Sequence, residues 1–402
     1  MSQATLQNIT VYPIKSSAGI ELSNSWVEEF GLAFDRRFVV ASPEGEFFTA
    51  RTQPTLCLIQ ASLTAAGIII NAPKMPTLVI DYNQLSPNYV DVQVWNDTIS
   101  AQQCVDSINQ WFSRFLQQPC QLLFFGAESQ RFVKNKNSQV GFADGYPLLL
   151  ISQASLDDLN SHYPANARSI PMSQFRPNIV VNDCDAFTED TWQKIRIGTV
   201  EFEVTKPCTR CIFTTINPQT AEQDHQQEPL KTLKNYRQLA NGDILFGQNL
   251  VALNQGQIKR GDKLEVLRYQ DAPVFSLPKK SVTTPEHSEF SNKAKAAQLQ
   301  PIKKKKPLLT FSRFNKSVTG NNTETLLEQG EAAGLVLPYS CRAGMCGSCK
   351  VILEQGQVTE TCQDGLSDEE QQQGYILTCC STPLTDVVIR HPERKRRNSS
   401  ID

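Results

Sequence analysis

An excess of positive charge is absent from this sequence: 39 Lys and Arg stand against 41 Asp and Glu, a formal balance of -2. A chain so balanced offers no electrostatic footprint for phosphate backbones, which makes nucleic acid a poor partner. No run of about 18 apolar residues occurs, as a membrane-spanning helix would need. Met1 to Gly19 holds no basic stretch followed by an apolar one, as a secretory leader would. We therefore expect a soluble, cytoplasmic chain with no membrane partner. Histidine is scarce, and no two of His162, His225, His287 and His391 are spaced to share a helix face as zinc ligands. No Gly-x-Gly-x-x-Gly follows a strand pattern, which argues against a self-contained nicotinamide-dependent reductase. No repeat recurs at a fixed period.

What is present is 402 residues, 40% of them hydrophobic, enough for two or three cores. Short β-rich runs such as Phe38 to Val40 and Gly67 to Ile70 alternate with turn clusters through residue 270, so the fold class is mainly β with α+β elements. Helices are expected over Ser152 to Leu159, opened by a Ser cap, and over Glu228 to Leu239. From Asp271 to Pro307, prolines and the Lys303 to Lys306 run interrupt any hydrophobic period, which suggests a flexible, partly basic linker. Beyond it come an apolar run at Leu308 to Phe311, a Gly320-Asn321 turn and a helical stretch at Thr323 to Gly334, the order of a small β-grasp unit. The expected divisions are 1–120, 121–270, the 271–307 linker, 308–393, and a basic tail at 394–402 that frays.

Twelve cysteines without a secretion signal belong to a reducing compartment, where thiols serve metals or catalysis. Cys341, Cys346 and Cys349 follow Cys-x4-Cys-x2-Cys, and Cys379 comes after 29 more residues. That is the plant-type arrangement for a 2Fe-2S cluster. Two irons need four thiolates converging on a small space, three from one tight loop and one from a distant segment. Gly344 and Gly347 let that loop turn and bring N–H groups to the sulfurs. About the last 95 residues resemble plant-type ferredoxins, including Gly374 to Cys379, which selects Cys379 over Cys380 as the fourth ligand. Cys362 and Cys380 are expected to be ordinary buried thiols. Such a cluster passes single electrons and leaves no open position for an organic substrate, so another part of the chain must use them.

A second constellation, Lys206-Pro-Cys208-Thr209-Arg210-Cys211, lies between strand-like runs at Glu201 to Val204 and Ile212 to Ile216. Thiols beside two cations suit metal binding or nucleophilic attack. On residues alone, a zinc half-site and a thioredoxin-like pair stay open as alternatives. The surrounding segments resemble the molybdenum cofactor sulfurase C-terminal (MOSC) family. Phe175 to Val180 resembles its Arg-Pro-Asn strand, and Cys208 to Cys211 with Thr214-Thr215 and Asn217-Pro218 resembles its cofactor segment. Phe142 to Pro147 also resembles a family segment. Tyr12 to Ser16, Asp35 to Phe38 and Thr49 to Arg51 resemble the β-barrel domain that precedes it. The resemblance spans about residues 5 to 268. With the ferredoxin-like end, the chain is similar to YcbX-type proteins, relatives of the mitochondrial amidoxime-reducing component.

This resemblance implies two β-barrel domains followed by the β-grasp unit, with a molybdenum cofactor besides the 2Fe-2S cluster. It makes Cys211 the molybdenum thiolate and the catalytic residue. It places Lys15, Ser16, Arg36, Arg176 and Asn178, joined by Ser152, around the pterin and its phosphate. The chemistry agrees: arginine forks bind phosphate bidentately, and a soft thiolate suits the metal. Arg37 adjoins Arg36 and competes for the phosphate; Cys208 is expected to be a spectator. The implied activity is reduction of N-hydroxylated compounds, N–OH to N–H, a detoxifying reaction. Electrons would come from an external flavoprotein through the cluster. The alternative is a cofactor carrier or sulfur-transfer protein, against which the fused cluster argues, because persulfide transfer consumes no outside electrons.

Overall fold

The first strand shows how this chain builds its sheets. Along Thr5–Val11 the buried residues are Leu6, Ile9 and Val11. The spacing departs from strict alternation because the register against Ile179–Asn182 shifts between Leu6 and Asn8, and a bulge of this kind resets which face a side chain occupies. The computed structural model describes residues 3–134, 136–163, 169–239, 243–275, 306–322, 324–335, 337–339, 344, 347, 349–360, 363 and 365–392. Most of the expected linker, the 394–402 tail, and Cys341, Cys346 and Cys362 lie outside these residues.

The Thr5–Val11 strand belongs to an eight-stranded sheet in the order Leu264–Tyr269, Trp192–Ile197, Val200–Thr209, Leu245–Ala252, Leu148–Ser152, Ile179–Asn182, Thr5–Val11, Ile20–Leu22. The expected unit at 1–120 thus lends its first strands to the unit that follows. One core serves both, with Ile9 and Val11 packed among Leu150, Ile179, Trp192, Phe202 and Leu250. The described helices are α1 (Asp106–Leu116), α2 (Gln153–Ser161), α3 (Leu230–Arg237), α4 (Leu326–Ala332) and α5 (Asp368–Gln372). Leu148–Ser152 runs parallel to Ile179–Asn182, and α2 supplies the crossover that a parallel pair requires.

A second core gathers Ile14, Phe38, Leu56, Ile68, Ile70 and Leu122 from the smaller sheets of the N-terminal barrel. Helix α1 closes it with Ile108, Trp111, Phe112 and Leu116, an apolar face at helical spacing. The Trp111 indole donates to the Pro76 carbonyl at 2.7 Å, satisfying the polar atom that its burial would otherwise strand.

In the C-terminal unit five strands run Lys316–Thr319, Leu308–Phe311, Val387–Arg390, Lys350–Gln355, Tyr375–Leu377. The central Leu308–Phe311 and Val387–Arg390 strands are parallel. Leu326 and Leu327 of α4 join Leu309, Phe311 and Ile389 in the core beneath. This is the mainly β architecture with a β-grasp end that the sequence implies. Among the described residues no helix is long and apolar enough to cross a membrane.

Candidate active site

Segments spread through the sequence from Lys15 to Cys211 come together around one cavity. After the Thr5–Val11 strand the chain turns at Ser16, which has φ 72°. Lys15 N–H donates to the Phe38 carbonyl at 2.8 Å, so the Lys15 side chain points inward and is almost wholly buried. The Ser16 hydroxyl accepts from Ala50 N–H at 3.0 Å and draws in the Thr49 to Arg51 loop. Arg36 has φ 45° and Arg176 φ 59°. Three of the expected cofactor residues therefore sit in left-handed backbone, which costs about 1–2 kcal/mol per non-glycine residue and persists where the surroundings over-determine it.

Arg36 donates from Nη1 to Asp35 at 2.6 Å and to Asn178 Oδ1 at 2.9 Å, and its guanidinium lies 4.5 Å from the Tyr12 ring. Arg37 faces the other way, 3.5 Å from Glu28 and stacked 4.7 Å from Phe30, so it is Arg36 that enters the site. Asn178 is committed to scaffolding: Oδ1 also accepts from Leu149 N–H at 3.2 Å, and Nδ2 donates to the Thr10 carbonyl at 3.1 Å. Its task is to hold Arg36. Arg176 donates through Nη1 to the Ser17 carbonyl at 2.6 Å and stacks 4.1 Å from Tyr12. Its buried Nη2 has no hydrogen-bond partner.

Cys211 ends the segment that follows the Val200–Thr209 strand. A strand is expected from Ile212, but a 3-10 turn over Ile212–Thr215 takes its place. Thr214 donates from both its N–H and its hydroxyl to the Cys211 carbonyl, at 3.0 and 2.9 Å. Thr215 likewise closes onto Ile212. Local side-chain bonds of this kind outcompete the β preference of Ile and Thr. The Cys211 sulfur accepts from Arg51 Nε at 3.3 Å and Nη2 at 3.2 Å. Cys208 turns to another partner, Arg210 Nη1, at 3.0 Å.

Arg51 and Asp144 line the same cavity but are not singled out by the sequence, although each lies in a segment resembling the family. Arg51, whose side chain is 3% exposed, bonds Asp144 at 2.8 Å and lies 4.9 Å from the Trp95 ring. Asp144, 41% exposed at the mouth, also accepts from Lys15 at 2.5 Å and from the Trp95 indole at 3.3 Å. Burial pushes the Asp144 carboxyl up, but Arg51 and Lys15 outweigh it and hold it well below the usual carboxylate range. Burial presses the Lys15 ammonium down to about 8 despite Asp144. Burial works against the Arg51 charge as well, yet Asp144 and the Cys211 sulfur keep it above its ordinary value. Burial pushes Arg176 below its ordinary value; Tyr12 offsets this only in part, and Arg36 adds to it.

Lys15, Ser16, Arg36, Arg176, Asn178 and Cys211 all face one cavity of about 1170 Å³. Ser152 does not. It is fully buried as the N-cap of α2, where its hydroxyl accepts from Ser155 N–H at 3.1 Å and donates to Ser155 Oγ at 2.7 Å.

The donor set fits the expected pterin cofactor. Lys15, Arg36, Arg51 and Arg176 meet only Asp35 and Asp144, and the orphaned Arg176 Nη2 lacks the acceptor that an anionic group would provide. Among the described residues no group of three or more His, Cys, Asp or Glu side chains could hold a metal by itself. A metal at Cys211 would therefore arrive with ligands of its own, as a dithiolene cofactor does.

In the C-terminal unit, the Cys349 and Cys379 sulfurs lie 3.2 Å apart and buried, with Cys380 3.7 Å beyond Cys379. Gly365 packs on the loop that carries the other expected ligands. Its N–H donates to the Gly344 carbonyl at 2.7 Å, and a Cβ on Gly365 would meet Gly347 N at 2.5 Å. Only glycine permits that approach.

Comparison with known proteins adds three domain matches: a MOSC N-terminal beta barrel domain at residues 3–119, a MOSC domain at 137–265, and a 2Fe-2S iron-sulfur cluster binding domain at 310–384. Mitochondrial amidoxime-reducing component 1 of Danio rerio is 34% identical over 277 residues, covering 65% of this chain and 84% of that protein. Mitochondrial amidoxime reducing component 2 of Homo sapiens is 36% identical over 278 residues, covering 64% of this chain and 82% of that protein. Among solved structures, a ferredoxin reductase in carbazole 1,9a-dioxygenase is 30% identical over 22% of this chain and 28% of that one. Its TM-score is 0.21.

Proposed function

The chain belongs to the amidoxime-reducing component family, and from that premise we propose that it is a molybdenum cofactor-dependent reductase of N-hydroxylated compounds. An external flavoprotein feeds it electrons through the 2Fe-2S cluster held by Cys341, Cys346, Cys349 and Cys379. The observation that carries this reading is the convergence of the Cys211 sulfur and the cations of Lys15, Arg36, Arg51 and Arg176 on a single cavity. Cys211 holds the metal. Lys15, Ser16, Arg36 and Arg176 hold the pterin and its phosphate, and Asn178 keeps Arg36 in place.

When bound, the cofactor supplies the two-electron step that takes N–OH to N–H, two protons and two electrons giving water as the second product. The chain's own residues prepare the site. Arg51 directs two N–H groups at the Cys211 sulfur, fixing its rotamer and drawing off electron density. Asp144 stays ionised at neutral pH, so at the mouth it accepts hydrogen bonds from N–H or O–H groups of a substrate and gives no proton. The rings of Trp95 and Phe213 flank Arg51 at 4.9 and 5.8 Å and shield its charge from water, which strengthens every electrostatic contact inside.

The test is metal analysis combined with turnover of benzamidoxime by an artificial electron donor. Wild type should carry molybdenum and iron and reduce the substrate, whereas Cys211→Ala should keep its iron, lose firm hold of molybdenum and lose turnover. Fully molybdenum-loaded wild type that reduces no N-hydroxylated substrate would instead identify a cofactor carrier or sulfur-transfer protein.

A further inference from the structure

The cavity that holds Cys211 has a second wall, made by the C-terminal unit: Lys350, Leu366, Ser367, Asp368, Glu369 and Glu370. These residues mark the cluster edge of that unit. Lys350 directly follows Cys349, and residues 365–370 continue from Gly365, which packs on Gly344 and Gly347 of the cysteine loop. The unit thus turns its electron-carrying side towards Cys211.

The facing surfaces complement each other. On the barrel side, Phe132 is a large apolar side chain left 53% exposed, and Lys134 is exposed two residues on. This rim is rigid at its base, because Arg131 donates to the carbonyls of Gly141, Ala143 and Asp144 and to the Asp97 carboxylate. On the cluster side, Glu370 is committed to Lys350 at 2.6 Å, while Asp368 and Glu369 in the first turn of α5 stay exposed. From Leu308 to Pro392 ten carboxylates stand against five cations, so the unit approaches a cavity lined by cations with the opposite sign of charge. An apolar centre flanked by complementary charges is the anatomy of a specific but transient interface.

We propose that Asp368 and Glu369 form the surface by which the cluster-binding unit docks on the Phe132 to Lys134 rim, delivering electrons into the Cys211 cavity within one chain. Each docking oxidises the cluster by one electron. Two dockings, with two protons from solvent, reduce one N–OH to N–H and water, and the external flavoprotein restores the cluster. This docking role rests on the reductase reading.

The experiment uses the full chain carrying both cofactors. A carbodiimide that joins amines to carboxylates without a spacer should link Lys134 to Asp368 or Glu369, as seen by peptide mass mapping, and about 0.5 M salt should suppress the link. With the cluster reduced beforehand, mixing with benzamidoxime should restore its visible absorption. Lys134→Glu and Glu369→Lys should each slow that recovery about tenfold, and the double reversal should recover most of the loss. Single reversals that reoxidise at the wild-type rate, or a double reversal no faster than the singles, overturn the docking surface. So does a crosslink map without the Lys134 product. A soluble viologen donor separates the two claims. Persisting viologen-driven turnover together with unaffected reoxidation in the reversals sinks the docking alone. Absence of viologen-driven turnover in molybdenum-loaded wild type sinks the reductase reading and electron delivery with it.

Discussion

Lys15 gives the site a pH dependence whose sign can be worked out. Its ammonium is pressed down to about 8 by burial, against an ordinary 10.5. In cofactor-free protein that burial penalty on the charged form is fully present below pH 8. It is relieved as pH rises from 8 to 10.5, because there the unfolded chain binds the extra proton. The empty fold thus gains stability across that window as the buried Lys15 loses its charge, and thermal unfolding of wild type against Lys15→Met should show the difference. An anionic phosphate needs the protonated form, so cofactor retention should move oppositely and weaken above pH 8. In Lys15→Met, retention should be roughly tenfold poorer at neutral pH and flat across the window, as measured by pterin fluorescence after dialysis. Arg51 supports a second prediction. Its two bonds to the Cys211 sulfur and one to Asp144 need a planar fork, so Arg51→Lys keeps the charge but loses the geometry. Groups that orient a metal ligand are worth about 10- to 100-fold in metal affinity or activity. Arg51→Met should lose that much benzamidoxime turnover, and Arg51→Lys should regain only part. Neither Arg51 nor Asp144 was assigned a role in the sequence, because their pairing joins positions 93 apart that only the fold brings together. Lys15, Ser16, Arg36, Arg176 and Cys211, which line one cavity, could be singled out because each sits inside a local motif.

At the scale of elements, the same contrast separates what local chemistry specifies from what packing decides. The Ser152 cap and the Leu156 and Leu159 spacing announce α2, which forms over Gln153–Ser161. The hydroxyl expected at the phosphate is the one the helix uses. Ser152→Ala should therefore cost about 1 kcal/mol, the ordinary worth of a lost N-cap, lowering the melting temperature with molybdenum content unchanged. A loss of molybdenum at unchanged melting temperature would return Ser152 to the cofactor. Helix α1 went unassigned although Ile108, Trp111, Phe112, Phe115 and Leu116 trace a helical stripe. Its aromatic, Ser- and Asn-containing sequence has only middling helix propensity, and burial against the barrel core supplies what propensity does not. The left-handed backbone at Ser16, Arg36 and Arg176 could not be foreseen either, since none is glycine or asparagine. There the hydrogen bonds from neighbouring segments set the conformation.

Across the whole molecule, burial divides the chain differently from its sequence motifs. The two barrel units share one core, because Thr5–Val11 lies between Ile20–Leu22 and Ile179–Asn182 in the large sheet. A break near residue 120 therefore does not separate two independent folds. The C-terminal core, by contrast, draws its residues only from Leu309 to Ile389. Two cooperative units follow, and calorimetry of the holoprotein should resolve two transitions. Because a bound group stabilises only the unit that binds it, the cofactors should separate in the same way. Cys379→Ser removes a thiolate from the buried Cys349–Cys379 pair. It should abolish the cluster signal in electron paramagnetic resonance and lower the transition of the C-terminal unit, leaving the other transition and the molybdenum content as they were. Viologen-driven reduction of benzamidoxime should survive in that variant while flavoprotein-driven reduction falls to background. If flavoprotein-driven turnover survived as well, electrons would be entering the Cys211 cavity by a path that bypasses the cluster, and the C-terminal unit would need another role.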